Sequence, residues 1–316
     1  MKTRTAFTIL TAGIVSLGLH ATAARGQPDA TDRIMETSSA SPEGCTIEKF
    51  RVRSPAMGRE IKAVVVLPPE YKAHPEKRYP ILYTLHGAAA PYDCFSAMLP
   101  LLQALKDKPM IVTCMDGDAW SWYIDSPVPL AARRDPKDTT RVKSLFTTFF
   151  LDEFIPCVDR HYRVNPRQRM LTGFSMGGFG ALHYMLARPG EFVSVSALSG
   201  AFFPLDPPEQ GTEKLLSPIL GPYKEHAERY RALDLFTRIK DQVAKGIKMP
   251  PIYLTCGTED DLLKSNRAMA EFLKEQGVVC KAVETAGKHD WPFWSDASPC
   301  IIDFHWRSLA VDKERP

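Results

Sequence analysis

The chain has 316 residues, with 40 Lys+Arg against 37 Asp+Glu and a formal net charge of +3. With 24% charged and 44% hydrophobic residues it has an ordinary globular composition, which excludes a disordered or collagen-like chain and gives no basic field for nucleic acid. The 26 prolines point to many turns and loops, and seven cysteines are an odd number, too few for a disulfide-dense miniprotein.

Lys2 and Arg4 precede a mostly apolar run from Ala6 to Leu19, followed by Ala21-Thr22-Ala23. A basic start, a short apolar core and a small-residue end predict a secretory signal peptide over residues 1–24. The apolar run is short for a membrane span of ~20 residues, and no cysteine follows it to carry a lipid. The expectation is a secreted or periplasmic protein without a stable membrane anchor. Cleavage leaves 38 basic and 37 acidic residues, net +1. Residues 25–44 are rich in Ser, Thr and Ala without a hydrophobic period, and read as a flexible linker.

From Cys45 the pattern becomes that of a folded domain, expected over residues 45–312. Residues 45–53 alternate and residues 61–67 are β-branched, with turn chemistry between them, which predicts an antiparallel hairpin. Short apolar runs at 79–85, 110–115, 170–173, 192–198, 252–256 and 279–284 predict strands. Helical patterns at 95–105, 145–162, 177–187 and 262–276 separate them, and a last helix starts near Pro292. This alternation predicts an α/β protein with a mostly parallel central sheet covered by helices on both faces. The proline-rich stretch 202–249 breaks the rhythm and reads as a lid-like insertion over one end of the sheet.

Gly173-Phe174-Ser175-Met176-Gly177 lies between a predicted strand and a predicted helix. That is the setting of a nucleophilic serine on a sharp strand-to-helix turn, with small residues where backbones must approach. The turn also aims the next N–H, that of Met176, at the reacting position.

A serine needs a base. In this architecture the base follows in the order serine, acid, histidine. His183 lies in the helix after Ser175, His226 in the insertion, and His305 in an apolar helical run where a packed histidine is expected. His289 sits in a loop after the last strand and is the candidate base. The acid is expected after the strand 252–256, where Glu259, Asp260 and Asp261 are equally placed by spacing. Trp120, Trp122 and Tyr123 follow the strand ending at Met115, so they are expected on the same rim as Ser175, where aromatics stack on a sugar or an aryl acyl group.

These motifs together resemble the esterase D-type putative esterases, which include S-formylglutathione hydrolases, tributyrin and feruloyl esterases and mycolyltransferases. The matching pieces are Leu85-His86-Gly87, Asp116-Gly117 with Ser121 to Ser126, the run Val158 to Arg163, Gly173 to Gly178, Cys256 to Asp260, and His289-Asp290-Trp291, in family order over residues 60–295. The resemblance implies an α/β-hydrolase fold, a Ser–His–Asp triad and no cofactor. It places the acid on Asp260 and the second oxyanion N–H on Ala88, beside Gly87. The polar or Gly-rich residues often found there are replaced by Ala88-Ala89-Ala90-Pro91.

The expected function is thus a secreted serine esterase acting through an acyl-enzyme on Ser175, on a small-molecule or carbohydrate-linked ester such as an acetyl or feruloyl ester. An acyltransferase would use the same triad, and a non-catalytic carbohydrate-binding relic would have lost one member of it. No spaced ligand set predicts a metal. Cys114 and Cys256 are expected as buried thiols at strand ends. Cys45, Cys94, Cys157, Cys280 and Cys300 are the candidates for pairing.

Overall fold

The computed structural model describes residues 33–131 and 140–312. The predicted leader and residues 25–32 lie outside the described residues. The runs that read as strands pair into one nine-stranded sheet. Its strands are β1 (Arg33–Ala40), β2 (Thr46–Ser54), β3 (Arg59–Leu67), β4 (Tyr79–Leu85), β5 (Ile111–Met115), β6 (Val164–Phe174), β7 (Ser194–Leu198), β8 (Ile252–Gly257) and β9 (Cys280–Thr285). The spatial order is β1-β2-β3-β5-β4-β6-β7-β8-β9. The first three strands are antiparallel, β3 meets β5 antiparallel, and β5 through β9 pair in parallel.

Strands β4, β5, β7 and β8 are buried throughout, as continuous apolar runs in a parallel sheet must be. Their side chains alternate between two cores. Ile81, Tyr83 and Leu85 enter one with Phe146, Phe150 and Tyr184. Leu82 enters the other with Val112, Met170, Phe174, Leu101 and Ile302. The first face is covered by the helical run 146–161 (α2) and by α3 (Met176–Ala187), the second by α1 (Leu99–Ala104) and α8 (Trp291–Asp312). The middle of α2, Phe149–Phe154, is π-helical. Its Phe150 stacks on Tyr184 at 4.2 Å and meets Tyr83 edge-on.

One expectation changes. Residues 33–40 form an edge strand, not part of a linker: β1 pairs with β2 from Arg33–Val52 to Ala40–Thr46. It has no apolar period because most of it faces solvent. Backbone pairing and ion pairs, Arg51–Glu36 at 2.7 Å and Arg33–Glu48 at 3.7 Å, hold it instead. The insertion contains α4 (Gln210–Leu220), α5 (Tyr223–Leu233) and α6 (Leu235–Ala244), and it docks along α3. Arg238 donates to His183 Nδ1 at 2.7 Å and Gln242 to the Leu186 carbonyl at 2.7 Å. Asp234 caps α6 through the Thr237 N–H and also accepts the Leu205 N–H.

All seven cysteines are free thiols. Cys114 and Cys256 are buried at their strand ends, as expected for packed thiols.

His305 on α8 is fully buried against the sheet. Its Nδ1 lies 2.8 Å from Ser194 Oγ and its Nε2 lies 2.8 Å from Ser196 Oγ, which donates onward to Thr172. A neutral ring, one donor and one acceptor, satisfies this network. Burial pushes His305 down to about 3. An unfolded chain takes that proton near pH ~6.5. The folded state refuses it, so this stability is fully present above pH ~6.5 and is lost as pH falls toward the folded value. Between pH 7 and pH 5 the loss is about 2 kcal/mol. His305→Gln cannot titrate. In urea unfolding it should lose less stability than the parent over that interval, by about the same amount; equal losses would refute the assignment.

Candidate active site

The order of β4 and β5 reverses the direction of the connections at β4. The carboxyl ends of β4 and β6 flank that reversal, the position at which open parallel sheets place their sites. Ser175 follows β6 there, at the turn into α3. Its backbone is left-handed, φ 55° and ψ −121°, a conformation that costs a non-glycine residue of order 1–3 kcal/mol. The Ser175 N–H donates to the Leu198 carbonyl at 3.0 Å, and its carbonyl accepts from Ala201 at 3.0 Å. Gly173 and Gly177 face each other across the turn: a Cβ on Gly173 would strike the Gly177 backbone, and one on Gly177 would strike the Leu85 carbonyl. The G-x-S-x-G spacing is thus a packing requirement at this turn.

His289 and Asp260 reach the same point from the ends of β9 and β8. His289 Nε2 lies 3.0 Å from Ser175 Oγ. Its Nδ1 lies 3.1 and 3.0 Å from the two oxygens of Asp260. A carboxylate only accepts, so Nδ1 carries the proton and Nε2 is free to accept from the serine hydroxyl. The Asp260 side chain is sealed from solvent, whereas the His289 side chain is 32% exposed. Glu259 and Asp261 are exposed. Burial opposes ionisation of Asp260, but hydrogen bonds from His289, from Ser199 and from the Leu262 N–H outweigh it and hold its carboxyl below the usual range.

Among the described residues, neither the Met176 N–H at the start of α3 nor the Ala88 N–H after β4 has a protein acceptor. The loop that carries Ala88 is fixed from behind. The buried His86 ring donates through Nδ1 to the Gly87 carbonyl at 2.8 Å and accepts the Gly117 N–H at Nε2 at 2.7 Å. Burial lowers the basicity of His86 and keeps it neutral. The Ala89 N–H donates to the Ala119 carbonyl at 3.0 Å. The alanines that replace polar residues in this loop leave its backbone hydrogen bonds intact.

The three rim aromatics separate. Trp120, next to that Ala119 carbonyl, is 36% exposed. Tyr123 is fully buried and donates its hydroxyl to the His86 carbonyl at 2.9 Å, so it supports the Ala88 loop and is not a stacking surface for substrate. Trp122 is also buried, edge-on to Phe179 and Phe203 under the insertion. Both have left-handed backbones, φ 53° and 59°, which turn their side chains inward. Sequence reasoning missed two aromatics that do adjoin the site. Trp291 is 41% exposed and packs edge-on against Phe174 at 5.1 Å. Trp294, one helical turn further, stacks on Phe174 at 4.4 Å and meets the His289 ring edge-on at 5.0 Å. Their i, i+3 spacing at the start of the helix after His289 was the available signal. No group of metal-binding side chains occurs among the described residues.

A buried acid, a histidine and a serine in one hydrogen-bonded line, beside two unpaired N–H groups, can carry out acyl transfer. Comparison with known proteins agrees with that chemistry. The family described as "Putative esterase" matches residues 54–297. The chain is 31% identical over 252 residues to an acetyl esterase of Caldicellulosiruptor saccharolyticus, covering 73% of this chain and 84% of that protein. Over 154 residues it is 30% identical to an esterase of Mycobacterium tuberculosis, covering 48% of this chain and about a third (31%) of that longer protein. Two solved structures share the fold. An S-formylglutathione hydrolase from Agrobacterium tumefaciens has a TM-score of 0.72 at 18% identity, covering 87% of this chain and 99% of that one. A ferulic acid esterase from Anaeromyces mucronatus, in complex with ferulic acid, has a TM-score of 0.59 at 21% identity, covering 85% and 93%. The chain therefore belongs to the putative esterase family and has its α/β-hydrolase fold.

Proposed function

We propose that the protein is an exported serine esterase that hydrolyses carboxylic esters through an acyl-enzyme on Ser175. The observation that carries this reading is the continuous line from Asp260 through His289 to Ser175 Oγ. As Ser175 Oγ attacks the ester carbonyl, His289 Nε2 takes the hydroxyl proton and Asp260 stabilises the imidazolium. The carbonyl oxygen, now an oxyanion, accepts from the Met176 and Ala88 N–H groups, each worth about 3–4 kcal/mol in comparable sites. His289 returns the proton to the leaving alcohol. Water, reaching His289 on its solvent side, gives it a proton as it attacks the acyl carbonyl; the Ser175 Oγ–acyl bond breaks, His289 returns the proton to Oγ, and the carboxylic acid leaves.

The substrate class we infer is a small or carbohydrate-linked ester carrying an acetyl or feruloyl group. Trp120 and Trp291, both solvent-accessible near the site, offer flat faces to an aryl acyl group or a sugar ring. The relatives that act on acetyl esters and bind ferulic acid support the same class. Export rests on the leader pattern of residues 1–24.

Three outcomes are expected. Ser175→Ala should lower kcat/KM for p-nitrophenyl acetate by roughly 10⁴-fold or more and abolish labelling by a fluorophosphonate; retained turnover would sink the mechanism. In steady-state kinetics on methyl ferulate, acetylated xylan and short aryl esters, Trp120→Ala should raise KM for the favoured ring-bearing ester roughly fivefold, the weight of about 1 kcal/mol for one aromatic contact. Equal effects on ring-bearing and plain acetyl esters would remove Trp120 from the substrate site. Tyr123→Phe should lower kcat roughly tenfold with little change in KM, because it frees the loop that carries one oxyanion donor. A pure KM effect would contradict that role.

A further inference from the structure

The loop that carries Ala88 is held by the loop that follows β5, and that second loop has an anchor of its own. Three contacts join the two loops. The Gly117 N–H donates to His86 Nε2 at 2.7 Å, the Ala119 carbonyl accepts from the Ala89 N–H at 3.0 Å, and the Tyr123 hydroxyl donates to the His86 carbonyl at 2.9 Å. Asp118 lies between the first two. Its backbone is left-handed at φ 53°, a conformation that Asp tolerates better than most residues, and its N–H donates to the Asp116 carboxylate at 3.0 Å. That local turn does not use the Asp118 side chain. The carboxylate turns inward, with only 4% of the side chain exposed. A buried carboxylate needs a charged partner.

The partner comes from the antiparallel half of the sheet. Carried past the strand ends, the pairing of Ala63 with Met115 brings Arg59, the first residue of β3, level with Ala119. Arg59 Nη2 lies 2.5 Å from Asp118 Oδ2. Its guanidinium carbon also lies 5.9 Å from the centre of the Phe146 ring on α2, and Phe146 meets Tyr123 edge-on at 6.2 Å. One arginine thus bears on both ends of the segment 118–123. Arg59 is held in turn by the hairpin it sits on. The turn between β2 and β3 is tied to α2, where Glu153 accepts from the Ala56 N–H at 2.8 Å and from the Ser54 hydroxyl. The Asp116 N–H donates to the Lys62 carbonyl at 2.8 Å, a further rung between β3 and the chain after β5.

We propose that Arg59 and Asp118 are a positioning pair that fixes the loop after β5 and, through it, the Ala88 N–H of the oxyanion site. The inference rests on the acyl-transfer reading above and goes beyond it. Both residues act through the backbone of the two loops, not on the reacting atoms. An oxyanion donor counts only where its hydrogen meets the developing charge. A small displacement of Ala88 therefore weakens transition-state binding and leaves ester binding nearly unchanged. Acylation and deacylation both pass through an oxyanion, so both slow together, and kcat falls while KM holds. Burial pushes Asp118 up to about 6 against the pull of Arg59, so the pair is charged at pH 8.

The test is kcat and KM for p-nitrophenyl acetate at pH 8, measured on the full chain with active sites counted by fluorophosphonate labelling. Asp118→Asn and Arg59→Gln should each lower kcat per active site about tenfold with KM within about twofold, part of the roughly 10²–10³-fold that loss of a whole donor costs. The double variant should fall no further than either single one, since the two residues act as one pair. Arg59→Lys keeps a cation against the Asp118 oxygen that Arg59 meets and should stay within about threefold of the parent. As a control, Arg267→Gln breaks the exposed pair of Arg267 on α7 (Leu263–Glu275) with Glu284 of β9 and should leave kcat unchanged; an equal loss there would make the effect a general one and overturn the proposal. Parental kcat in Asp118→Asn and Arg59→Gln, a loss confined to KM, or losses that multiply in the double variant would each overturn it as well. If Arg59→Gln fails to fold because it strands the Asp118 carboxylate, Asp118→Asn and the double variant give the same reading. If Ser175→Ala keeps its activity, the acyl-enzyme reading fails; if it is inactive and the pair variants keep kcat, only the positioning pair fails.

Discussion

The left-handed turn at Ser175 is the constraint on which the site depends. A serine in that conformation needs surroundings that over-determine it. These are supplied by the Leu198 carbonyl, by the Ala201 N–H and by the bare backbones of Gly173 and Gly177 against β4. The close approach of β6, α3 and β4 that the glycines permit also brings the His86-Gly87 segment, just before Ala88, against Ser175 and Gly177. The strain, the glycine spacing and the pairing of two open N–H groups are therefore one feature, set by how tightly three elements meet.

Everything else in the site is delivered by strand ends. Ala88, Gly117, Ser175, Ser199, Asp260 and His289 follow β4, β5, β6, β7, β8 and β9, six consecutive members of the parallel part of the sheet. A parallel sheet puts all its carboxyl ends on one edge, so loops far apart in sequence converge without any long-range signal beyond strand order. The antiparallel strands β1 to β3 sit at the opposite side of the sheet and contribute no residue to this hydrogen-bonded cluster. Their role is to cover the flank of β5, which could not otherwise be buried.

This division explains what was legible in the sequence. Buried strands are continuous apolar runs, so β4, β5, β7 and β8 stand out. Chain order after Ser175, with its place in a loop after the last strand, singles out His289. Spacing could not choose among Glu259, Asp260 and Asp261. Burial does, because only Asp260 turns inward. The edge strand β1 has no apolar pattern since it is held by backbone pairing and ion pairs. Trp122 and Tyr123 were placed on the right loop but facing the wrong way, because a left-handed backbone redirects a side chain and leaves no mark in residue type.

The histidines show how one residue type is put to opposite uses. His86, His183 and His305 are buried, and burial lowers the basicity of each. Each neutral ring then offers one donor and one acceptor, and each ties two elements together: the Ala88 loop to the Gly117 loop, the insertion to α3, and α8 to the sheet. A ring that must cycle its charge needs the reverse setting. His289, the proposed base, has it: solvent on one side and the Asp260 carboxylate on Nδ1, with one edge-on contact to Trp294. What separates the proposed base from the structural histidines is its exposure and its direct hydrogen bonds to a carboxylate. Both are fixed by which strand end the loop leaves from.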